Sequence, residues 1–424
     1  MERCVRAKND LPIYYYTNNS LHKSCISVCI KAGNLYEKDD ELGIAHFLEH
    51  IIFRNINKAL NYDMKQRLDK MGAYFNGCTF NEFVEIKIIA AKKHFRECAE
   101  IISKVFEPID VDPEHIDLER KRIKSEIRED DEKSSIDYMG RKIVWKGTNL
   151  SKCIAGNSET LDKIDGERLR KYAHETLTPD NVFIYVTGAA SKEEINLLAD
   201  YVGAYNLFAS NEIKENMAPV PAKFFKRDAV VKIKKDDYCE VRYSFDFDST
   251  KYSKEYIDLI YEILFDGECS KVYDELSEKT GIVYSYSSVI DIYNNIGTIS
   301  FSYEVKKKHL LLSIEKIMNI LYNLKLGLED ELLYVLPNYV DNAEMILDEP
   351  ERLGWIMSYE AHILNYKFNS IEARMKRYSS ITKEDLVSAM NEIFVKDNLV
   401  MNVKCKKKNS FSPEEIKGIV NQYL

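Results

Sequence analysis

The sequence lacks an excess of basic residues. It contains 60 lysines and arginines against 69 aspartates and glutamates, which gives a net charge of −9 and a pI near 5.6. Nucleic-acid-binding domains usually carry a basic face, so we expect no nucleic-acid partner. The short run Lys306-Lys307-Lys308 is more typical of a solvated loop than of a binding patch.

The sequence also lacks long apolar runs and paired cysteine motifs. No apolar stretch reaches the roughly 18 residues that a membrane-spanning helix needs, and the first ten residues contain no signal-peptide core. We therefore expect no membrane partner and a cytoplasmic location. The nine cysteines are odd in number and dispersed without a CxxC pair. This pattern predicts reduced, mostly structural thiols and gives no support to a cysteine-dependent hydrolase.

Histidine is scarce, with eight residues, yet two of them stand four residues apart in His46-Phe47-Leu48-Glu49-His50. On a helix these two side chains share one face, where two imidazoles can hold one divalent metal ion. Glu49 follows His46 by three residues, so its carboxylate can lie beside the metal as a general base for water. Burying such groups without partners would be costly in so apolar a segment, so coincidence is the weaker explanation.

A catalytic zinc needs three protein ligands and one open position, so a third ligand must come from elsewhere in the chain. The charged segment 117–129 has an intermittent apolar side and carries Glu119 and Glu126 seven residues apart on one stripe. Helical periodicity alone does not choose among the acidic side chains, and each could be a solvated carboxylate on a charged face. The possible ligands are Glu119, Glu126, Glu129 and Glu132.

The HxxEH order is the inverted zincin motif. Glu126 follows His50 by 76 residues, a spacing that resembles that of the pitrilysin and insulin-degrading-enzyme family, in particular its processing-peptidase branch. Other segments also resemble the family, namely Lys31-Ala32-Gly33-Asn34, Gly72-Ala73-Tyr74-Phe75-Asn76 and Gly281-Ile282-Val283-Tyr284-Ser285. The resemblance implies Zn²⁺ bound by His46, His50 and Glu126, with Glu119 as a supporting residue. Mn²⁺ and Co²⁺ suit the same ligands.

An internal repeat indicates two copies of one domain, as the length of the chain also suggests. Residues 164–186 match residues 381–403 at a constant offset of 217. Strand-like segments at 11–16, 25–30 and 82–91 alternate with helical ones, including 62–71. We therefore predict an α+β fold with two homologous two-layer α/β domains, each a mixed, mostly antiparallel sheet covered by helices.

The predicted domains are a zinc-bearing domain at 1–209, a linker at 210–223 and a second domain at 224–424. At an offset of 212, His46, Glu49 and His50 fall on residues that do not repeat the motif. These residues are Asp258, Tyr261 and Glu262. The second copy is therefore expected to lack the metal site, as in family subunits of this length.

The resemblance also implies substrate-binding residues. Asn76 and the strand through Glu82 match the family region that pairs with the substrate backbone, although Asn76 could be a simple turn residue. Family active sites usually include an arginine and a tyrosine seven residues apart in the second half. Here Tyr284 matches the tyrosine, but Ser277 stands at the arginine position, and a serine carries no charge.

Together these features predict a zinc endopeptidase that cleaves peptides or unfolded leader segments, with Glu49 as general base. Because Ser277 replaces the expected arginine, we expect a dimer, in particular a heterodimer whose homologous partner supplies the Arg/Tyr pair. A homodimer is an alternative, as is a substitute cation such as Lys279 or Lys271. The competing function is a noncatalytic peptide-binding or assembly subunit. A structural zinc scaffold fits poorly, because three ligands leave one position open.

Overall fold

The computed structural model describes residues 1–129, 135–207, 230–233, 238–293, 295–366, 368–405 and 412–424. The strands in chain order are β1 (Arg3–Arg6), β2 (Pro12–Thr17), β3 (Lys23–Ile30), β4 (Tyr74–Thr79), β5 (Val84–Ala91), β6 (Val182–Gly188), β7 (Val230–Ile233), β8 (Tyr238–Phe247), β9 (Tyr286–Ile292), β10 (Gly297–Lys306) and β11 (Leu399–Cys405).

The α-helices in chain order are α1 (Ile44–Ala59), α2 (Met64–Met71), α3 (Phe95–Ser103), α4 (Pro113–Glu129), α5 (Ile136–Val144), α6 (Ser158–Lys163), α7 (Gly166–Thr176), α8 (Lys192–Gly203), α9 (Lys254–Phe265), α10 (Lys271–Tyr273), α11 (Leu310–Leu326), α12 (Glu331–Val340), α13 (Ala343–Ile346), α14 (Pro350–Trp355), α15 (Ile371–Ser379), α16 (Lys383–Ile393) and α17 (Pro413–Tyr423). Two π-helical segments follow α10 and α14, at Asp274–Glu278 and Ile356–Ile363. Short 3₁₀ helices lie at Asn34–Tyr36, Lys92–His94, Lys104–Phe106, Asn149–Ser151, Lys307–His309 and Lys396–Asn398.

These elements form two compact units, each built on one sheet. The first sheet has the order β1-β2-β6-β3-β5-β4, with β2 and β6 parallel and the other neighbouring pairs antiparallel. The second has the order β7-β11-β8-β10-β9, with β7 and β11 parallel and the rest antiparallel. The predicted mixed, mostly antiparallel sheets covered by helices are confirmed.

The repeat appears in the structure as matching elements. Helix α7 and strand β6 have the same lengths as α16 and β11 and precede them by 217 residues. In each sheet the repeated strand joins a parallel neighbour on one side and an antiparallel neighbour on the other. The chain therefore contains two homologous α/β domains.

The core of the first unit explains how the histidine-bearing helix is held. Alternate residues of β3, namely Ile26, Val28 and Ile30, are fully buried and belong to the hydrophobic core of this unit. Helix α1 packs onto the same core through residues spaced as on one helical face: Ile44, Phe47, Leu48, Ile51 and Ile52. These contacts hold α1 against the sheet, because moving the helix away would expose its apolar side chains to water at a cost in free energy.

The two units are not contiguous in the sequence. The first comprises Met1–Asp131, Lys152–Met217 and Glu344–Ile371, and the second comprises Glu132–Ser151, Ala218–Ala343 and Glu372–Leu424. This division differs from the predicted halves at 1–209 and 224–424, because each sheet packs against a helix from the other half of the sequence. The predicted linker at 210–223 lies outside the described residues.

Specific contacts hold these two helices, α14 in the first unit and α5 in the second, against their sheets. In the first unit, the Thr187 hydroxyl donates a hydrogen bond of 2.6 Å to the Pro350 carbonyl, and the Trp355 ring centroid lies 5.1 Å from that of Phe80. In the second unit, Nε of Arg242 donates to Oδ1 of Asp137 at 2.8 Å. All three contacts join residues more than 100 positions apart, which sequence periodicity cannot reveal.

One disulfide corrects the prediction that all cysteines are reduced. Cys239 and Cys405 are bonded and stand directly opposite each other on the antiparallel strands β8 and β11. Their separation of 166 residues hid this pairing in the sequence. The other seven cysteines are free thiols. Among the described residues, no helix combines the length and apolar character needed to cross a bilayer.

Candidate metal centre

The first amides of helix α1 donate to a side chain that lies outside the helix and is not its N-cap residue. The buried carboxylate of Glu37 accepts hydrogen bonds from the backbone N–H of Gly43 at 2.8 Å and of Ala45 at 2.9 Å. Gly43 has φ of 93°, a left-handed conformation that glycine adopts without strain. The carboxylate thus replaces an ordinary cap and satisfies amides that the helix cannot pair internally. His46 follows this anchored turn directly.

His46, His50 and Glu126 form a group whose ligand atoms all lie within 4.8 Å of one another. Nε2 of His50 lies 3.5 Å from Oε2 of Glu126, and Nε2 of His46 lies 4.0 Å from the same oxygen. Two ligands of a tetrahedral zinc ion at ordinary bond lengths lie roughly 3.4 Å apart. The group is therefore close to the size that zinc requires.

The donor set and its protonation state also fit zinc. Two imidazole nitrogens and one carboxylate oxygen are a common zinc set that leaves a fourth position open. Burial, together with the neighbouring His50, lowers the pKa of His46 to about 4, so this imidazole is neutral and can ligate at neutral pH. Nδ1 of His46 is buried without a hydrogen-bond partner among the described residues. The Glu126 side chain is 39% exposed, so one side of the group is open to solvent.

Glu119 lies two turns before Glu126 on α4 and orients His50. Its Oε2 lies 2.9 Å from Nδ1 of His50, and its Oε1 accepts a hydrogen bond from Nε of Arg54 at 2.5 Å. Burial opposes the charge on Glu119, but the hydrogen bonds from His50 and Arg54 prevail and lower its pKa to about 2. A charged carboxylate on Nδ1 fixes the tautomer of His50 and directs Nε2 to the metal position.

The four glutamates left open by periodicity are thus in different places. Glu126 lies beside the two histidines, and Oε2 of Glu119 contacts Nδ1 of His50. Glu129 is exposed on the last turn of α4. Glu132 lies outside the described residues.

Glu49 lies on the sheet side of the same helix and is almost fully buried, with 8% exposure. The Thr79 hydroxyl donates a hydrogen bond of 2.6 Å to Oε2 of Glu49. Burial raises the pKa of Glu49, and the Thr79 hydrogen bond and nearby His50 oppose this rise only in part. A carboxyl in these surroundings can accept and release a proton more readily than an exposed one.

The predicted substrate-binding residues have different surroundings. Asn76 is exposed on β4, the edge strand of the first sheet, and its amide donates to the Tyr74 hydroxyl at 2.9 Å. Glu82 is only 5% exposed, because it lies in the turn between β4 and β5, which packs against residues 33–36. A role for Glu82 in substrate binding stays a prediction.

Tyr284, in the second unit, is 98% exposed. The Ser277 hydroxyl donates to the Val283 carbonyl at 2.7 Å, so Ser277 braces the loop that carries Tyr284. The two alternative cations are both paired with carboxylates. Lys279 contacts Asp274 at 2.7 Å, and Lys271 contacts Glu331 at 2.7 Å.

At the positions that repeat the motif in the second unit, acidic side chains take hydrogen bonds from their own unit. Asp258 accepts from the Tyr378 hydroxyl at 2.5 Å and from the Lys254 ammonium. Glu262 accepts from the Asn338 amide at 2.5 Å and from the Tyr339 hydroxyl at 3.2 Å. Among the described residues, His46, His50 and Glu126 are the one group with metal-ligand spacing.

Sequence reasoning missed Glu37, Arg54 and Thr79. Arg54 could have been found, because it follows His50 by four residues and shares its helix face. Thr79 and Glu37 reach α1 from a strand and a loop, and no spacing rule within the helix points to either.

Comparisons with known proteins identify the family of this chain. Residues 13–158 match the insulinase family, peptidase family M16, and residues 163–335 match the peptidase M16 inactive domain. The uncharacterized zinc protease YmxG of Bacillus subtilis is 24% identical over 297 residues, which cover 69% of this chain and 71% of that protein. An uncharacterized zinc protease of Rickettsia bellii is 22% identical over 400 residues, 92% of this chain and 94% of that protein.

Further matches include a eukaryotic subunit, over a shorter stretch of the chain, and solved structures. The mitochondrial-processing peptidase subunit beta of Dictyostelium discoideum is 26% identical over 174 residues, 40% of this chain and 37% of that protein. A protease from Helicobacter pylori has the same fold, with a TM-score of 0.82, 16% identity and coverage of 96% of this chain and 99% of that one. The first half of the periplasmic protease PqqL from Escherichia coli gives a TM-score of 0.79 at 16% identity, covering 100% of this chain and 96% of that one. The chain therefore belongs to peptidase family M16, the insulinase family of zinc-dependent proteases.

Proposed function

We propose that the chain is a zinc-dependent endopeptidase that hydrolyses peptide bonds in peptides or unfolded leader segments. The observation that carries the proposal is the arrangement on helix α1. There His46 and His50 meet Glu126, while the buried carboxylate of Glu49 lies on the same helix between them in sequence. Metal ligands beside a carboxyl that can move a proton are what peptide hydrolysis requires.

The residues divide the chemistry among them. His46, His50 and Glu126 would hold the zinc ion, which would act as a Lewis acid on a peptide carbonyl and on a water molecule. Glu49 takes the proton from the attacking water at Oε1, since its Oε2 is engaged by Thr79. The same carboxyl then delivers the proton to the leaving amine. Glu119 keeps His50 in the ligating tautomer throughout.

Strand β4 is the proposed binding site for the substrate backbone. It pairs with β5 on one side and ends the sheet on the other. An extended peptide can add to such an edge through main-chain hydrogen bonds, whatever its sequence. Asn76 is exposed on this strand and is available to a bound peptide. Substrates are therefore unfolded or flexible segments.

The active form is proposed to be a heterodimer in which a homologous subunit supplies the Arg/Tyr pair. Support comes from the second unit, where Ser277 occupies the expected arginine position and is engaged with the Val283 carbonyl. The nearby Lys279 and Lys271 are ion-paired. One relative, the mitochondrial-processing peptidase subunit beta, is by name a subunit of a larger enzyme.

The endopeptidase proposal is tested with Glu49→Gln and Glu126→Ala. Zinc content is measured by mass spectrometry after dialysis, and cleavage is measured with fluorescein-labelled, denatured casein. We expect Glu49→Gln to keep one zinc per chain and lose cleavage, and Glu126→Ala to lose both. Glu129→Ala, an exposed glutamate on the same helix, is the matched control and keeps both. Cleavage by Glu49→Gln at the parent rate would refute the assignment.

The same Ser277 observation favours one second candidate, a noncatalytic peptide-binding subunit. The two functions are separated by assaying casein cleavage by the zinc-loaded chain alone, over a wide range of concentrations, and again with a homologous partner subunit. A heterodimeric enzyme is slow alone at every concentration and fast with the partner. A homodimer gains specific activity as its concentration rises. A noncatalytic subunit binds casein but cleaves it under none of these conditions.

A further inference from the structure

Strand β4 passes unusually close to the carboxylate of Glu49. A methyl group built on Gly77 would lie 2.6 Å from Oε1 of Glu49 and 2.7 Å from Cε2 of Phe53. Both distances are shorter than any ordinary carbon contact. A side chain at residue 77 would therefore displace the Glu49 carboxylate or the Phe53 ring from its present position.

Thr79 lies two residues further along the same strand and so faces the same side as Gly77. The Phe75 ring, two residues before Gly77, confirms this direction, since its centroid lies 4.9 Å from that of Phe53 on α1. From this position the Thr79 hydroxyl donates its 2.6 Å hydrogen bond to Oε2 of Glu49. Oε1 accepts no hydrogen bond from the part of the chain that the structure describes.

We infer that Thr79 is a positioning residue for Glu49, holding one carboxylate oxygen against β4 so that the other is presented to the attacking water. Gly77 provides the clearance that this position requires. The inference rests on the proposed endopeptidase function, but it concerns residues outside the metal-ligand group.

The physical reason lies in the glutamate side chain. The χ3 torsion angle of glutamate has a broad range of values, so a carboxylate without a fixed partner samples many orientations. A charge-assisted hydrogen bond from a hydroxyl on a rigid strand removes this freedom. The same strand is the proposed edge for the substrate backbone, so β4 fixes both the peptide and the base that acts on it.

The test compares Thr79→Val, which removes the hydroxyl at nearly constant shape, with Thr79→Ser, which keeps it. Thr187→Val is the matched control, because Thr187 is also a strand threonine of the first sheet with a 2.6 Å hydrogen bond, to the Pro350 carbonyl. We expect Thr79→Val to lower kcat by about 10- to 100-fold, the scale of a small misplacement of a catalytic group. KM and zinc content remain at parent values, Thr79→Ser recovers most of kcat, and Thr187→Val retains parent kcat.

Two readouts do not depend on turnover. Binding of a fluorescein-labelled peptide to the zinc-free protein, followed by anisotropy, stays unchanged in Thr79→Val. A crystal structure of zinc-free Thr79→Val shows the Glu49 carboxylate displaced from β4. A carboxylate in its parent position overturns the inference even if the parent chain proves inactive, which would refute only the endopeptidase proposal. Parent kcat in Thr79→Val, or a loss that Thr79→Ser does not recover, also overturns it.

Discussion

Nδ1 of His50 and Oε2 of Glu119 are hydrogen-bonded at 2.9 Å, and Oε1 of Glu119 accepts a hydrogen bond from Nε of Arg54. Glu119 is 2% exposed, so this carboxylate is buried directly behind a metal-ligand candidate. The contact leaves Nε2 of His50 free to face Glu126, 3.5 Å away. We therefore expect Glu119 to support a bound metal ion through His50 rather than as a ligand itself.

The first prediction concerns Glu119→Gln. The amide cannot match the charged acceptor on Nδ1 of His50, so zinc affinity falls by about 10- to 100-fold, the usual cost of losing a supporting contact. Affinity is measured by competition with a chromogenic chelator. Glu114→Gln, an exposed glutamate on the same helix, is the control and leaves affinity unchanged. An unaltered zinc affinity in Glu119→Gln would contradict the supporting role.

The second prediction concerns the start of helix α1. Glu37→Ala removes the acceptor of two buried amides, those of Gly43 and Ala45. We expect the free energy of unfolding to fall by about 1–3 kcal/mol, the cost of leaving buried donors unpaired. Urea unfolding of the zinc-free protein measures it. Glu37→Gln keeps one acceptor oxygen and loses less, so equal stability of Glu37→Ala and the parent would show that the contact is dispensable.

The candidate ligands were predictable because they follow local rules. The four-residue spacing of His46 and His50 defines a helix face without tertiary information. The repeat offset of 217, read from the sequence, is also the offset between α7 and α16 and between β6 and β11. Choosing Glu126 among four glutamates needed the family resemblance, because every face of α4 carries charge.

Other parts depend on contacts that only the folded chain creates. Thr79 contacts Glu49 because the register of β4 on β5 places Thr79 against α1. Glu37 lies in the segment before α1 and accepts hydrogen bonds from the first amides of that helix. Helices α5 and α14 joined units other than those predicted, because a contiguous boundary was assumed where the chain exchanges segments. The burial of Glu82 also depends on packing, and its position in the sequence does not reveal it.

The third prediction is a pH dependence that comes from Glu82. Burial raises its pKa to about 8 in the folded state, and its Oε2 has no hydrogen-bond partner among the described residues. The folded chain then holds a proton that the unfolded chain releases near the ordinary glutamate pKa of 4.5. The contribution of Glu82 to stability is thus full below pH 4.5 and is lost as pH rises towards 8.

Glu82→Gln removes this titration. We expect the melting temperature of the variant, relative to the parent, to rise between about pH 5 and pH 8, since each pKa unit is worth about 1.4 kcal/mol. Differential scanning fluorimetry across this range measures it. Glu193→Gln, an exposed glutamate of the same unit, serves as control. A difference that is constant with pH would show that Glu82 is ionised throughout.

The last prediction concerns the disulfide of the second unit. Cys239 and Cys405 close a loop of 166 residues between β8 and β11, whereas the candidate metal ligands belong to the first unit. Reduction is expected to destabilise the second unit by about 2–4 kcal/mol, the usual range for a structural disulfide. Calorimetry with a phosphine reductant, with and without a metal chelator, should show separate effects on the two units.

Thiol counting makes the same prediction quantitative. The denatured, unreduced chain is expected to give seven reactive thiols, one for each free cysteine, and nine after reduction. The double variant Cys239→Ala, Cys405→Ala should match the reduced parent in stability and still give seven thiols, whereas Cys269→Ala, an exposed free cysteine, should leave stability unchanged. Nine thiols without reductant would mean that β8 and β11 hold together by strand pairing alone, as a cytoplasmic location predicts.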